Sequence, residues 1–261
     1  MILAAGRGER LRPLTDTRPK PLLPVRGKPL MQWSMEALAR GGVRHLVVNI
    51  AWLGEQISDY FGAQFLLPED PAPDRIASVA PDGVAMGILY SNEQQDFGGV
   101  LETAGGICRA LPKLGDIFWA VAGDVFVPGF AFSATAVQRF AREGKLAHLW
   151  LVPNPLQHPA GDFGLLPADP RDLTQGQLAL AHADVRYTYS AIGLFRRELF
   201  SPPYCDIPFG NPHGVKAKLA PILRAAMDDA QVTAELYTGE WTDVGTPERL
   251  AELNANWSPE E

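Results

Sequence analysis

The chain has 261 residues, 46% hydrophobic and 20% charged, which is enough to bury a substantial core and argues against a disordered or fibrous protein. The net charge is −7, yet seven of the 23 cations fall within the first 28 residues, beside only Glu9 and Asp16. An acidic body opposes nucleic acid or an anionic membrane as partner, whereas the local basic cluster suits a small polyanion.

In chain order, Met1 to Ala5 reads as a short buried strand. Gly6 and Gly8 then permit a tight turn whose backbone N–H groups can face an anion with no Cβ in the way. Arg7, Arg10, Arg12, Arg18 and Lys20 surround that turn, and Pro13, Pro19 and Pro21 stiffen the backbone that carries them. Bare amides ringed by fixed cations are what a triphosphate needs. The stretch is not a P-loop, because Gly-Lys-Ser/Thr is missing. Nor is it the dinucleotide fingerprint, since Leu11 stands where the third glycine belongs and Arg12-Pro13 interrupts the helix that should follow.

Pro29 suits a first helical position, and Leu30, Trp33, Met35 and Leu38 are spaced for a buried helix ended by Gly41-Gly42. Leu46–Ile50 reads as a strand, Glu55 to Phe61 as a helix stopped by Gly62, Leu67 to Gly83 as a loop, and Gly87 to Ser91 as a strand. A glycine-rich loop, Gly98 to Gly106, should enter a helix at Ile107 to Leu111. Its amides can approach a flat base closely. Ile117 to Ala122 reads as a strand, Phe132 to Glu143 as a helix and Ala147 to Val152 as a strand. Alternation of strand and helix implies a mainly parallel sheet wrapped by helices, with ligands at the carboxyl ends of the strands. Tyr187 to Phe195 is a further strand, and Lys218 opens an amphipathic helix. No apolar run is long enough to span a bilayer, and Met1 leads straight into a core strand, leaving no room for a signal peptide. Cys108 and Cys205 have neither pairing nor metal spacing and suit a reducing cytoplasm.

Two apolar strands run into aspartates: Phe118–Ala122 into Gly123-Asp124, and the tail into Trp241-Thr-Asp243-Val-Gly-Thr-Pro-Glu248. Each aspartate alone is equally a cap or turn residue. Mg²⁺, a hard cation, takes carboxylate and phosphate oxygens, so two carboxylates plus a triphosphate can complete its shell. Glu93, just ahead of the glycine loop, can accept from a base. A carboxylate matches guanine's two adjacent donors better than uracil's single N–H.

At Gly6-x-Gly8-x-Arg10-x-x-Pro13-Leu14-Thr15 and Pro19-Lys20-Pro21 the chain resembles the sugar-phosphate nucleotidyltransferases. The tail motif Trp-x-Asp-x-Gly-Thr-Pro-Glu and the order of the two Asp motifs are also close to that family's pattern. Glu9 departs from it, where many members carry Ser or Thr, and Leu101-Glu102-Thr103 stands in place of Leu-Gly-Thr. Within the family the nearest likeness is to the N-acetylmuramate-1-phosphate uridylyltransferases of cell-wall recycling. It rests on Asn49-Ile-Ala-Trp-Leu-Gly54, Leu101-Glu102-Thr103, Gly161-Asp-Phe-Gly164 and Lys218-Leu-Ala-Pro. Mannose-1-phosphate guanylyltransferase and glucose-1-phosphate thymidylyltransferase are the alternatives.

The resemblance implies a single-domain Rossmann-like α/β/α sandwich over residues 1–261 with a mainly parallel sheet, like the GT-A fold, and Mg²⁺ as cofactor. It implies Arg10 and Lys20 as catalytic residues and Asp124 and Asp243 as metal ligands. Nucleotide contacts are then Leu3, Ala4, Ala5, Gly6, Arg7, Gly8, Lys20, Glu93, Leu101, Thr103 and Asp124. Sugar-phosphate contacts are Glu102, Asn154, Gly164, Ser190 and Lys218. Muramic acid carries an extra carboxylate, for which Arg186, just before the strand Tyr187 to Phe195, is the candidate cation. His158 reads as structural. A catalytically silent nucleotide-sugar sensor is the alternative of another class, and the presence of Lys20, Asp124 and Asp243 together favours the enzyme.

Overall fold

The computed structural model describes residues 1–67, 85–166, 177–255 and 257. Strand β1 is Ile2–Leu3, and the loop after it contains the short helix α1 (Leu14–Thr17). A small ribbon, β2 (Pro24–Val25) with β3 (Lys28–Pro29), leads into α2 (Leu30–Arg40). Next come β4 (His45–Ile50), α3 (Gly54–Phe61), β5 (Gln64–Leu66), β6 (Ala85–Asn92), α4 (Glu93–Phe97) and α5 (Glu102–Ala110). They are followed by β7 (Ile117–Ala122), β8 (Val125–Phe126), α6 (Ala134–Glu143) and β9 (Ala147–Val152). The second half adds β10 (Gly164–Leu166), β11 (Gln177–Leu180), β12 (Thr188–Arg196) and α7 (Leu219–Asp228). It ends with β13 (Val232–Leu236), β14 (Thr242–Asp243) and α8 (Pro247–Ala255).

Among the described residues ten strands form one sheet, in the order β10-β11-β13-β9-β12-β7-β1-β4-β6-β5. The sheet is mixed but mainly parallel: β1 pairs parallel with β4 and β7, β4 with β6, and β9 with β13, while β5, β11 and β12 run against the rest. Side chains of a strand alternate between faces, and the two cores follow that alternation. Val47, Ala120 and Leu149 pack with Ile107 of α5 and Leu223 of α7. Their chain neighbours Val48, Trp119 and Trp150 pack with Met35 of α2 and Phe140 of α6. Helices therefore cover both faces. Among the described residues no helix is long and apolar enough to cross a membrane.

Several local expectations change. The helix expected from Ile107 begins at Glu102, so Gly105 and Gly106 are helical rather than loop residues. Close packing requires them: a Cβ on Gly105 would lie 2.5 Å from the Val215 carbonyl oxygen, and one on Gly106 2.5 Å from Glu93 Oε1. The helix expected from Phe132 starts at Ala134, because Ser133 caps it by accepting from the Ala136 N–H. The expected loop of residues 67–83 lies, apart from Leu67, outside the described residues. Cys108 and Cys205, unrelated by sequence spacing, are buried thiols whose sulfurs lie 3.8 Å apart.

Candidate active site

The carboxyl ends of β1, β4 and β7 open onto a cavity of about 580 Å³, walled on its far side by β12 and the start of α7. Its near rim is the loop after β1. Gly8 adopts φ +69°, a conformation that favours glycine, and Thr15 Oγ1 donates to its carbonyl at 2.9 Å. Arg7 does not reach into the cavity. Its guanidinium donates to the Thr15 carbonyl (2.7 Å) and Asp16 Oδ1 (2.9 Å) and lies 3.7 Å over the Trp52 ring. The hydrogen bond from Arg7, joined by one from Arg12, holds the Asp16 carboxyl below the usual range. Arg7 thus shapes the loop from behind. Arg10 is exposed and has no polar partner among the described residues, with its Nη2 beside Gly245.

Lys20, buried to 7% exposure, crosses the cavity floor to Asp124 Oδ2 at 2.5 Å and lies 3.8 Å from Asp243 Oδ1. A two-stranded ribbon joins the two aspartates: β14 pairs antiparallel with β8, setting Asp243 opposite Val125, and Val244 N–H donates to the Asp124 carbonyl. Arg249, one turn into α8, donates from Nη1 to both the Asp243 carbonyl (2.7 Å) and Oδ2 (2.9 Å). Sequence reading missed Arg249, although it directly follows the tail motif.

Asn49 was missed as well. Its Oδ1 accepts from Ala4 N–H (2.9 Å) and its Nδ2 donates to Glu93 Oε1 (2.7 Å), tying the ends of β1 and β4 to α4. The available signal was a lone amide in an apolar strand. Glu93 Oε2 accepts from Leu101 N–H at 2.8 Å, and the side chain is 1% exposed. Burial pushes the Glu93 carboxyl pKa up, against the two hydrogen bonds. Glu93, Glu102 and Thr103 line the cavity, while Leu101 is buried behind them. Glu102 begins α5 at φ +61°. Ala217 fastens onto this helix start: its N–H donates to Leu101 O, and its carbonyl accepts from Ala104 and Gly105. Lys218, the next residue, is thereby brought to the cavity wall.

The other sugar-side candidates fall elsewhere. Asn154 is exposed and tied into its own loop, donating to Pro159 O and Arg186 O and accepting from Thr188 Oγ1. Gly164 admits Ala183, whose Cβ would lie 2.3 Å from an added Cβ, and does not line the cavity. Ser190 is fully buried and donates to Trp150 O, because strand side chains alternate between faces and its neighbours Tyr189 and Ala191 line the cavity. Asp162 and Phe163 stand beside them. Arg186 is also not a cavity residue.

The nucleotidyl transferase family profile matches residues 1–182. An N-acetylmuramate alpha-1-phosphate uridylyltransferase of Neisseria meningitidis is 43% identical over 98% of this chain and 96% of its own length. A mannose-1-phosphate guanylyltransferase of Mycobacterium tuberculosis is 27% identical over 98% of this chain and 63% of its own length. A solved structure described as a putative glucose-1-phosphate thymidylyltransferase from Bacillus anthracis, in complex with a sucrose, superposes with TM-score 0.71 at 18% identity. The alignment covers 100% of this chain and 96% of that one, a likeness of fold. The chain belongs to the nucleotidyl transferase family, as a sugar-1-phosphate nucleotidyltransferase.

Proposed function

We propose that the chain acts as one catalytic domain that joins UTP to N-acetylmuramate 1-phosphate, giving UDP-N-acetylmuramate and pyrophosphate. The observation that carries the reading is the convergence of Asp124 and Asp243 on Lys20, with Lys20 and Asp124 lining the cavity that Gly6 and Lys218 also line. The 43% identity to the Neisseria meningitidis uridylyltransferase supports the substrate pair. A bond forms from the sugar-phosphate oxygen to the α-phosphorus, and the bond from that phosphorus to the bridging oxygen breaks. The electron pair leaves on pyrophosphate. A sugar phosphate is already ionised at neutral pH, so no general base is needed, and catalysis reduces to alignment and charge stabilisation.

The amides of Gly6 and Gly8, with Arg10, would hold the β- and γ-phosphates. Lys20 would meet the charge developing at the α-phosphate, and Lys218 the sugar phosphate. Asp124 and Asp243 offer only carboxylate oxygens, the donor set that Mg²⁺ takes when phosphate and water supply the rest. Bound there, Mg²⁺ would neutralise phosphate charge. Pairing Glu93 with Asn49 and Leu101 occupies one acceptor site on each oxygen and weakens the reason for preferring guanine. Substrates of this kind, together with reduced thiols at Cys108 and Cys205, suit the cytoplasm and peptidoglycan recycling. The test is a panel of UTP, dTTP and GTP against the 1-phosphates of N-acetylmuramate, N-acetylglucosamine, glucose and mannose. The highest kcat/KM is expected for UTP with N-acetylmuramate 1-phosphate. Faster formation of GDP-mannose would replace this reading with the guanylyltransferase one.

A further inference from the structure

A second, smaller cavity of about 210 Å³ opens beside the first and shares Asp124, Tyr189 and Ala191 with it. Val125, Pro155, Gln157, His158, Thr188, Trp241 and Asp243 complete its lining. The volume is several times the ~30 Å³ of one water, enough for a three-carbon branch. Asp124 and Asp243 make it hostile to an acid unless a cation faces them. Among the described side chains that line it, only His158 can carry positive charge.

His158 is held for such a task. Its Nε2 lies 3.1 Å from Asp162 Oδ1, while Asp162 Oδ2 accepts the Tyr189 N–H at 2.8 Å. The contact with that carboxylate steadies the ring, and Nδ1 has no partner among the described residues. The surrounding loop is itself fastened, because Asn154 bridges Pro159 and Arg186 and the His158 N–H donates to Pro155 O at 2.8 Å. The cations of the larger cavity have other tasks: Lys20 pairs with Asp124, and Lys218 stands beside the start of α5.

We infer that His158 is a specificity-determining residue that pairs with the carboxylate branch of an acidic sugar 1-phosphate, inside the side cavity it shares with Asp124 and Asp243. The inference rests on the substrate reading above, and it replaces Arg186 as the selecting cation. A site that pairs a carboxylate discriminates against the sugar that lacks it, because its polar groups would stay unpaired.

The experiment compares N-acetylmuramate 1-phosphate with N-acetylglucosamine 1-phosphate, both with UTP, in the wild type and in His158→Gln and His158→Arg. In His158→Gln the ratio of the two kcat/KM values should fall on the order of tenfold or more, mainly through the KM of the acidic sugar. His158→Arg should recover part of that ratio. If glutamine lowers kcat/KM for both sugars equally, or for neither, His158 is not the selecting residue. If instead the wild type prefers N-acetylglucosamine 1-phosphate, the substrate reading itself fails, whatever the variants do.

Discussion

Lys20 and Asp124, 104 residues apart in the chain, meet through a 2.5 Å hydrogen bond from Nζ to Oδ2, and Asp243 lies 3.8 Å from the same nitrogen. A buried ammonium on a proline-flanked segment is preorganised to meet charge that develops in the transition state. Lys20→Ala is therefore expected to lower kcat by roughly a hundredfold or more, with a smaller change in KM. Steady-state kinetics on a variant of unchanged circular dichroism decides this. Near wild-type kcat would remove Lys20 from the mechanism.

Arg249 makes two hydrogen bonds to Asp243 and fixes the carboxylate proposed for the metal. Activity should vanish in chelator and return with Mg²⁺, and Asp124→Asn and Asp243→Asn should each be nearly inactive. Arg249→Ala should weaken metal affinity by about ten- to a hundredfold, as loss of a supporting contact does. Titration of Mn²⁺ by electron paramagnetic resonance reads that affinity without turnover. Unaltered Mn²⁺ binding in Arg249→Ala would show that Arg249 does not position the site.

Gly105→Ala sets two effects against each other. Alanine gains about 0.5–1 kcal/mol in a helix interior, but its Cβ would lie 2.5 Å from the Val215 carbonyl oxygen. Overpacking of that kind costs about 1–3 kcal/mol, so a net loss of up to about 2.5 kcal/mol is expected in urea unfolding. The displaced segment leads to Lys218, so KM for the sugar 1-phosphate should rise as well. A more stable variant would contradict the close approach.

Glu235 supplies a pH prediction away from the site. Burial raises its carboxyl pKa, but His148, with Nε2 3.5 Å away, and Arg139, which donates at 2.5 Å, outweigh burial and hold it below its ordinary 4.5. The folded state therefore binds fewer protons at Glu235 than the unfolded state does. Its stabilisation is complete above the unfolded value and is lost as pH falls through the folded one. The Tm difference between wild type and Glu235→Gln should be greatest near neutrality and shrink below about pH 4.5, in scans from about pH 3 to 7. A difference that does not change with pH would refute the assignment.

Sequence alone determined what depends on neighbours in the chain. Glycines, prolines and cations adjacent at Gly6 to Pro21 marked a polyanion site, and apolar strands running into Asp124 and Asp243 marked carboxylates at strand ends. Strand–helix alternation likewise marked the mainly parallel sheet. Tertiary structure decided whatever depends on residues far apart meeting. Only pairing of β8 with β14 brings Asp243 to Asp124, and only packing of α5 on residues 215–217 makes Gly105 a helical residue rather than a loop one. Chain order also concealed how single side chains face. Asn49 joins Ala4 to Glu93, while Ser190, a polar residue on a promising strand, faces the core and donates to the Trp150 carbonyl, because strand side chains alternate and only packing decides which face meets the cavity.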